Sequence, residues 1–431
     1  MLHRLGFPSV GRHRPFVTAI AIDAVGSGVF MPISMLYFLV ATDLSLVQVG
    51  AAISLASLIA LPAGPLLGSV IDRIGAKQVL LAGNLLQGAG FAAYRVSDSF
   101  VVVTAWTVVV AVGRTAFWGS YGNIVAAISA PGEREKWFGF LGALRNVGFA
   151  LGGLVSGVAI TIGTQTAYAS VVVANAASYA VAFLLLLAVP ATAHTVHARQ
   201  PGSWATVLRD RPYRVLWCAQ LTFSISMMVL VYVMPVYATE VLGLPGWVSG
   251  TVFTLNTIMV GFGQGLAVRA MTGRVRWRIL LAANVFFAAS YVVLLGASAV
   301  GIALGVVVVL AGSVIYTLGE LTGGPVTAAM AAEAAPDHLR GRYLSMIQLA
   351  WNVSGTVTPV AFAWLLDRGA TPLWFVMLAL TGIGAGLSAL LGRVLPLADQ
   401  PVTNSAVDPA VDPAVDPSIQ PAVDGVAAVD P

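Results

Sequence analysis

The sequence predicts an all-α membrane protein with twelve transmembrane helices arranged in two six-helix halves. Hydrophobic residues make up 58% of the 431-residue chain and charged residues only 9%, whereas a soluble domain carries about 25% charged residues. Apolar runs long enough to cross a bilayer recur along the chain, and basic residues alternate between the two sides that these runs create. Because lipid cannot hydrogen-bond the backbone, the spanning runs must be helical.

The chain contains twelve runs that approach or exceed the roughly 20 apolar residues needed to span a bilayer. They cover residues 15–41, 46–71, 77–96, 99–128, 135–163, 166–190, 212–240, 246–270, 277–297, 300–330, 340–366 and 371–394. With this assignment, eighteen of the 22 basic residues fall on the side of the termini, and only Arg95 and Arg368 fall on the other. Because cytoplasmic loops are enriched in Lys and Arg, both termini are predicted to be cytoplasmic.

An internal repeat divides the chain into two halves. Residues 130–134 precede the fifth run and resemble residues 335–340, which precede the eleventh. Such repetition is typical of membrane folds built from two related halves. The predicted organisation is given by five segments: a cytoplasmic N-terminus (1–14), a first half (15–190), a cytoplasmic linker (191–211), a second half (212–394) and a disordered tail with repeated Ala-Val-Asp-Pro (395–431).

Four charged residues lie in the interior of the predicted spans, away from the residues at the span ends, namely Asp23, Arg114, Arg145 and Glu320. A charge in the middle of a bilayer costs about 2.5–3.5 kcal/mol, so each of them is expected to have a partner or a role. Asp23 and Glu320 are candidates for binding and releasing a proton, with Arg114 moving towards or away from an acid. The alternative is a static ion pair that holds helices together. Arg145 lies nearer the cytoplasmic end of its run and is expected to be structural or gating.

Aromatic and methionine side chains close to these charges predict the wall of a cavity. An arginine beside aromatic rings suits an amphipathic or aromatic ligand, and flexible methionines adapt to bulky apolar groups. Ordinary lipid-facing packing would use the same residue types. The candidate wall residues are Phe30, Phe117, Trp118, Tyr121, Met227, Tyr232 and Tyr316.

Several classes of function are not supported by the sequence. The single cysteine, Cys218, excludes an intrachain disulfide, and the scattered histidines predict no metal site. No phosphate-binding loop of the type G-x4-G-K-[ST] is present, so ATP is not the predicted energy source. The net charge of +4 does not indicate nucleic-acid binding, and no cluster of catalytic residues predicts an enzyme. No cofactor is expected.

The turn between the second and third runs carries a specific motif. Its pattern is G-x-x-x-D-R-x-G-x-K, formed by Gly68, Asp72, Arg73, Gly75 and Lys77. This pattern resembles the signature loop of the major facilitator superfamily of transporters. The resemblance implies the twelve-helix fold of that superfamily, with helices 1, 4, 7 and 10 around a central cavity. It also implies that this loop acts as a conformational latch.

The fifth run carries Gly139, Gly148, Gly152 and Gly157 at a spacing similar to the glycine-rich motif of superfamily exporters. Gly153 stands where that motif has proline, and this puts the expected kink in doubt. Glycines on one helix face allow a second helix to approach closely. Gly148 and Gly152, together with Arg145, are therefore expected to have a structural or gating role, and the resemblance favours export.

The resemblance implies a multi-pass transporter of the cell membrane, similar to proton-coupled multidrug exporters. Its expected activity is antiport of protons against a hydrophobic or amphipathic small molecule by alternating access. An uptake permease for a nutrient or metabolite is one alternative, and a non-transporting receptor or scaffold is another. The expected partners are a small-molecule substrate, protons and membrane lipid, without nucleic acid, and the chain is expected to be a monomer.

Overall fold

The computed structural model describes residues 10–129, 134–189, 204–336 and 339–402. Within these ranges the chain is helical, and its only extended pairing consists of two isolated β-bridges. The principal helices are α1 (Arg14–Phe30, continued by Ser34–Ala41), α2 (Leu46–Ala60, continued by Ala63–Ile74), α3 (Ala76–Ala93), α4 (Phe100–Ile128), α5 (Arg134–Ile162), α6 (Gln165–Leu187), α7 (Arg211–Tyr232, continued to Val241), α8 (Trp247–Met271), α9 (Arg276–Gly296), α10 (Ile302–Glu333), α11 (Arg340–Asp367) and α12 (Ala370–Val394).

Ten helices of the described residues have the length and hydropathy needed to cross a membrane. The chain is therefore a multi-pass membrane protein. The other two predicted spans correspond to α2 and α3. Helix α2 is divided at Leu61 and Pro62 into two shorter helices, and α3 buries the polar residues Asn84 and Gln87, which lower its hydropathy. The count of twelve spans thus remains a prediction at these two helices.

The signature turn is shorter than the sequence suggested. Helix α2 continues to Ile74, so Gly68 lies within a helix and the connection to α3 is a single residue, Gly75. Gly75 has a φ angle of 93°, a conformation that only glycine adopts easily. Lys77 donates a hydrogen bond of 3.0 Å to the carbonyl oxygen of Leu187 on α6.

The motif also contains the adjacent charged residues Asp72 and Arg73. Arg73 is exposed, and the side chain of Asp72 lies outside the described part of the chain. The latch function of this loop therefore stays a prediction.

Each half forms its own helix cluster. In the first half α1 packs against α5 and α6, and α3 packs against α4 and α6. In the second half α7 packs against α11 and α12, and α9 packs against α10 and α12. The second-half pairs α7–α11, α7–α12, α9–α10 and α9–α12 correspond to the first-half pairs α1–α5, α1–α6, α3–α4 and α3–α6. The repeat in the sequence is thus matched by a repeat in packing.

Two helix pairs carry the main contacts between the halves: α2 with α11, and α5 with α8. At the first, the backbone N–H of Val360 donates to Ser54 Oγ over 3.0 Å. At the second, Thr254 Oγ1 donates to the carbonyl oxygen of Ala150 over 3.3 Å. The contact of α2 uses its first segment, which directly follows the end of α1. The halves therefore meet at the end of the molecule remote from the termini; below, this is called the closed end.

The chain beyond α12 differs from the predicted tail. Pro396–Asp399 forms a 3₁₀ turn, and the following residues pair with the turn between α8 and α9. The N–H of Gly273 donates to Val402 O over 2.9 Å, and Trp277 Nε1 donates to Asp399 Oδ1 over 3.2 Å. The predicted disordered segment of 395–431 therefore begins too early, because its first residues are held by hydrogen bonds. Residues 403–431, with the repeats, lie outside the described residues.

The linker and the N-terminus are described only in part. Trp204–Arg209 forms a short helix before α7, where the sequence indicated a loop. Residues 1–9 and 190–203, which are most of the predicted cytoplasmic N-terminus and of the predicted linker, lie outside the described residues. Of the predicted N-terminus, Gly11–His13 forms a 3₁₀ turn that leads into α1.

Candidate functional site

A close approach of α1 and α5 builds the centre of the candidate site. A Cβ atom on Gly152 would lie 2.5 Å from the carbonyl carbon of Gly28, and one on Gly148 would lie 2.6 Å from Cβ of Ala24. Only glycine allows the two backbones to come this close. The glycine face of α5 thus places the polar residues of the two helices side by side.

Asp23 of α1 and Arg145 of α5 form a buried ion pair. Arg145 Nη1 donates to Asp23 Oδ2 over 2.9 Å, and the two side chains are 5% and 11% exposed for the acid and the base, respectively. The guanidinium carbon of Arg145 also lies 4.5 Å from the ring centre of Trp118 and 5.2 Å from that of Phe149. The sequence interpretation gave Arg145 a structural or gating role, and the structure adds that it is the ionic partner of Asp23.

The ion pair lies in the wall of a cavity of about 340 Å³, a volume within the range of sites for small organic ligands. Most of its lining comes from the first half, and helix α7 of the second half contributes Val231 and Tyr232. The lining residues from the first half include Asp23, Ser27, Phe30, Ser34, Gln87, Phe91, Tyr94, Thr107, Arg114, Phe117, Trp118, Arg145, Phe149 and Tyr179.

Aromatic rings form one end of this cavity. The ring centre of Phe30 lies 4.7 Å from that of Phe91 and 5.9 Å from that of Tyr94. Phe30 comes two helical turns after Asp23 on α1, towards the closed end. The cavity therefore has charged groups at its middle and aromatic rings towards the closed end, which suits an amphipathic molecule.

Arg114 of α4 lines the same cavity, and it also lines a second pocket of about 140 Å³. This second pocket lies between the halves, since Ser57 of α2 and Trp351 and Asn352 of α11 also line it. Within the described ranges, Arg114 makes no hydrogen bond and no ion pair. In this conformation it does not contact Asp23, whose acidic group is already paired with Arg145.

A hydrogen-bonded network of three side chains lies in the same cavity as the ion pair. The hydroxyl group of Tyr179 on α6 donates to Gln87 Oε1 over 3.1 Å and lies 3.4 Å from Ser27 Oγ. These three side chains also line the cavity, and the sequence interpretation did not assign any of them to it. Hydroxyl and amide groups are frequent along the chain, so only the tertiary arrangement distinguishes these three.

The predicted wall residues divide into two groups. Phe30, Phe117, Trp118 and Tyr232 line the cavity, and the other three do not. Tyr121 is buried against Phe16 and Phe117. The hydroxyl group of Tyr316 donates to the carbonyl oxygen of Ser226 over 3.0 Å and lies 3.9 Å from Met227 Sδ, so these two residues pack against each other. Tyr121, Tyr316 and Met227 do not line this cavity, so a place for them in the wall stays a prediction.

Glu320 lies apart from the cavity that Asp23 and Arg114 share, although the three were expected together. Its Oε2 accepts a hydrogen bond of 2.6 Å from Asn256 Nδ2 on α8. Asn256 also donates to Thr317 Oγ1 over 3.1 Å. Glu320 is partly exposed and has no ion-pair partner among the described residues. The second half therefore contains a separate carboxyl group that is held by a neutral amide.

Comparison with known proteins identifies the family of this chain. The family model of the Major Facilitator Superfamily matches residues 16–319. The chain belongs to this superfamily. Superfamily members are transport proteins and not enzymes. The sequence resemblance at the α2–α3 turn is thus confirmed at the level of the family.

Two relatives with curated names are multidrug resistance proteins. MdtH of Yersinia enterocolitica is 23% identical over 354 residues, which cover 80% of this chain and 84% of the relative. MdtH of Cronobacter sakazakii is 24% identical over 373 residues, which cover 84% of this chain and 89% of the relative. Both alignments therefore extend across both halves of the superfamily fold.

Solved structures of other transporters share the fold. A mutant form of the nucleoside transporter NupG superposes with a TM-score of 0.72 and 12% identity, covering 89% of this chain and all of its own. A bacterial homologue of the iron transporter ferroportin, in an inward-facing state, also gives 0.72, with 14% identity and coverage of 89% and 99%. At these identities the likeness shows the superfamily fold alone.

Proposed function

We propose that this superfamily transporter exports a hydrophobic or amphipathic small molecule in exchange for protons by alternating access. The observation that carries the proposal is the cavity beside the contact between the two halves, in which aromatic rings and buried charges meet. The names of the multidrug relatives support export of such molecules. One chain contains the whole cavity, so the proposed working unit is a monomer.

The proposed orientation places both termini in the cytoplasm of a cell whose cytoplasmic membrane the chain spans. Eighteen of the 22 basic residues then lie on the cytoplasmic side. Because the halves meet at the end remote from the termini, the closed end faces outward. The conformation is then the one in which an exporter receives its substrate from the cytoplasm. Separation of α2 from α11 and of α5 from α8 would release the substrate on the outer side.

Glu320 is the proposed site of proton exchange. Its carboxyl group is held by Asn256 and has no ion-pair partner among the described residues. A carboxylate that loses most of its contact with solvent and has no ion-pair partner is costly, and protonation removes that cost. Asp23 is the second candidate for the proton site. Its ion pair with Arg145 favours the ionised form of the carboxyl group. Asn256 lies on α8, which also contacts α5 across the halves, so a change at Glu320 can reach the contact between the halves.

Transport into everted membrane vesicles tests the proposal. Three probes with one naphthalene body and different head groups are suitable: naphthalene-2-sulfonate, naphthalene-2-sulfonamide and 2-naphthyltrimethylammonium. We expect at least one probe to accumulate inside vesicles with an acidic lumen, and we expect a protonophore to abolish this accumulation. Glu320→Gln should uncouple probe movement from proton movement, while Asp23→Asn should retain coupling at a lower rate.

The same vesicles discriminate the rival functions. Accumulation only in right-side-out vesicles would indicate an uptake permease. Absence of transport for all three probes, with a folded protein, would favour a receptor or scaffold. If Glu320→Gln keeps full coupling and Asp23→Asn loses it, then the proton site is Asp23.

A further inference from the structure

The charges in the cavity do not cancel. Among the described residues that line the cavity, Asp23, Arg114 and Arg145 are the only ones of Asp, Glu, Lys, Arg or His type. The carboxylate of Asp23 neutralises one guanidinium group, that of Arg145. Arg114 is an exposed residue that lines the cavity, and its guanidinium group is therefore a surplus positive charge in the cavity wall.

The guanidinium group of Arg145 is less available to a ligand than that of Arg114. The guanidinium carbon of Arg145 lies near the rings of Trp118 and Phe149, and its Nη1 already donates to Asp23. Arg114 has no such contacts in the described part of the chain, although a guanidinium group offers five N–H donors. A planar group of this kind matches the two oxygens of a carboxylate, sulfonate or phosphate.

The remaining wall defines the rest of the ligand. Phe30, Phe91 and Tyr94 form an aromatic end on the side of the closed end, and Tyr232 adds a ring from α7. A body with flat apolar faces fits this end, while the head group remains within reach of the charged middle of the cavity. The cavity volume of about 340 Å³ suits a molecule of one or two fused or linked rings.

We infer that the transported molecule is an organic anion: an aromatic or otherwise hydrophobic body with one negatively charged head group that pairs with Arg114. This inference rests on the proposed transport function and names its substrate class. The geometry disfavours lipophilic cations in this conformation, because they would enter a cavity that already carries a positive charge.

Export of an anion in exchange for protons requires that the proton site lies apart from the anion site. Asp23 lines the cavity, whereas Glu320 does not. Protonation of a carboxyl group in the cavity would strengthen anion binding. The proton and the anion would then tend to cross the membrane together, in the same direction. Glu320 does not line the cavity, so its protonation leaves the charge of the cavity unchanged. In a cell with a negative interior, exit of an anion and entry of a proton are both favoured by the membrane potential.

The test is equilibrium binding of the three naphthalene probes to the full chain in lipid nanodiscs, with empty nanodiscs subtracted. We expect the sulfonate to bind about tenfold more tightly than the sulfonamide, as one added charge-assisted contact would give, and the ammonium probe to bind most weakly. Arg114→Gln should remove this preference by weakening sulfonate binding much more than sulfonamide binding, and thermal unfolding of the variant checks that it is folded. Arg114→Lys should restore part of the preference, and Arg368→Gln, at an exposed arginine outside the cavity, should leave it unaltered.

Equal or tighter binding of the sulfonamide or the ammonium probe to the wild type would overturn the inference, even if Arg114→Gln failed to fold. Retention of the preference in a folded Arg114→Gln variant would overturn the role of Arg114. If the substrate is not an organic anion but a neutral or cationic probe is exported, then the proposed function stands and the inference about the substrate class fails. If the sulfonate preference is present and no probe moves in energised vesicles, then the proposed function fails and the binding inference remains.

Discussion

At the scale of single residues, the ion pair between Asp23 and Arg145 connects α1 to α5 inside the cavity. Both side chains are largely removed from solvent, so each charge depends on the other. Removal of one partner from a buried pair is strongly destabilising, because the remaining charge has no compensation. Removal of both leaves two neutral groups and is far less costly.

We therefore predict that Asp23→Asn and Arg145→Gln each lower the free energy of unfolding by about 3 kcal/mol, the lower end of the range for a broken buried pair, since both side chains keep some exposure. The double variant should be more stable than either single variant. Thermal unfolding of the purified protein in one detergent measures all three. A double variant that is as unstable as the sum of the singles would show that the two side chains are not energetically coupled.

The sequence indicated part of this site because charges are conspicuous in apolar runs. Asp23, Arg114 and Arg145 stood out for that reason, and Trp118 followed from its place on the helix face of Arg114. The partner of Asp23 could not be assigned from the sequence, since two arginines were available and the choice depends on which helices touch. Glu320 is grouped with the cavity for its charge and its place on the tenth run, and Asn256, which holds it, is one of many amides within the runs.

At the scale of helices, the glycine face of α5 determines how closely α1 and α5 approach. Gly152 lies against the backbone of Gly28 and Val29, whereas a Cβ atom on Gly142, also on α5, would meet no atom within 4 Å. The two glycines thus offer a matched pair of sites on one helix, one at a close contact and one in open space.

Gly152→Ala is predicted to destabilise the protein by about 1–3 kcal/mol, since the added methyl group forces the helices apart. Gly142→Ala should be neutral or slightly stabilising, because alanine favours a helix by up to about 1 kcal/mol relative to glycine. Thermal unfolding compares the two variants. Equal stability of both would contradict the close packing of α1 on α5.

Hydropathy predicted most of the helices and failed where local chemistry interrupts them. Pro62 lacks a backbone N–H and ends the first segment of α2, so the run 46–71 became two helices. The polar residues Asn84 and Gln87 of α3 are buried within the bundle, where hydropathy alone could not place them. The sequence predicts disorder throughout 395–431, and it does not indicate that the first residues of this segment form hydrogen bonds with the α8–α9 turn and with Trp277.

At the scale of the whole molecule, the repeat in the sequence becomes a repeat in contacts between the halves. The contact of α2 with α11 corresponds to that of α8 with α5, because each half contributes its second and its fifth helix. Such a matched pair of contacts can open and close together when one half rotates against the other. The overall architecture was predictable from the run count and the repeat, whereas the conformation was not.

Alternating access requires the closed end to open, and a reversible cross-link across it tests this requirement most directly. Ser54→Cys and Val360→Cys, in a chain whose native cysteine is removed by Cys218→Ser, place two thiols at the contact of α2 with α11. With a short bis-methanethiosulfonate linker, we predict that probe transport in vesicles stops and that a reductant restores it, while each single cysteine variant stays active. Full transport with the cross-link intact would contradict the account.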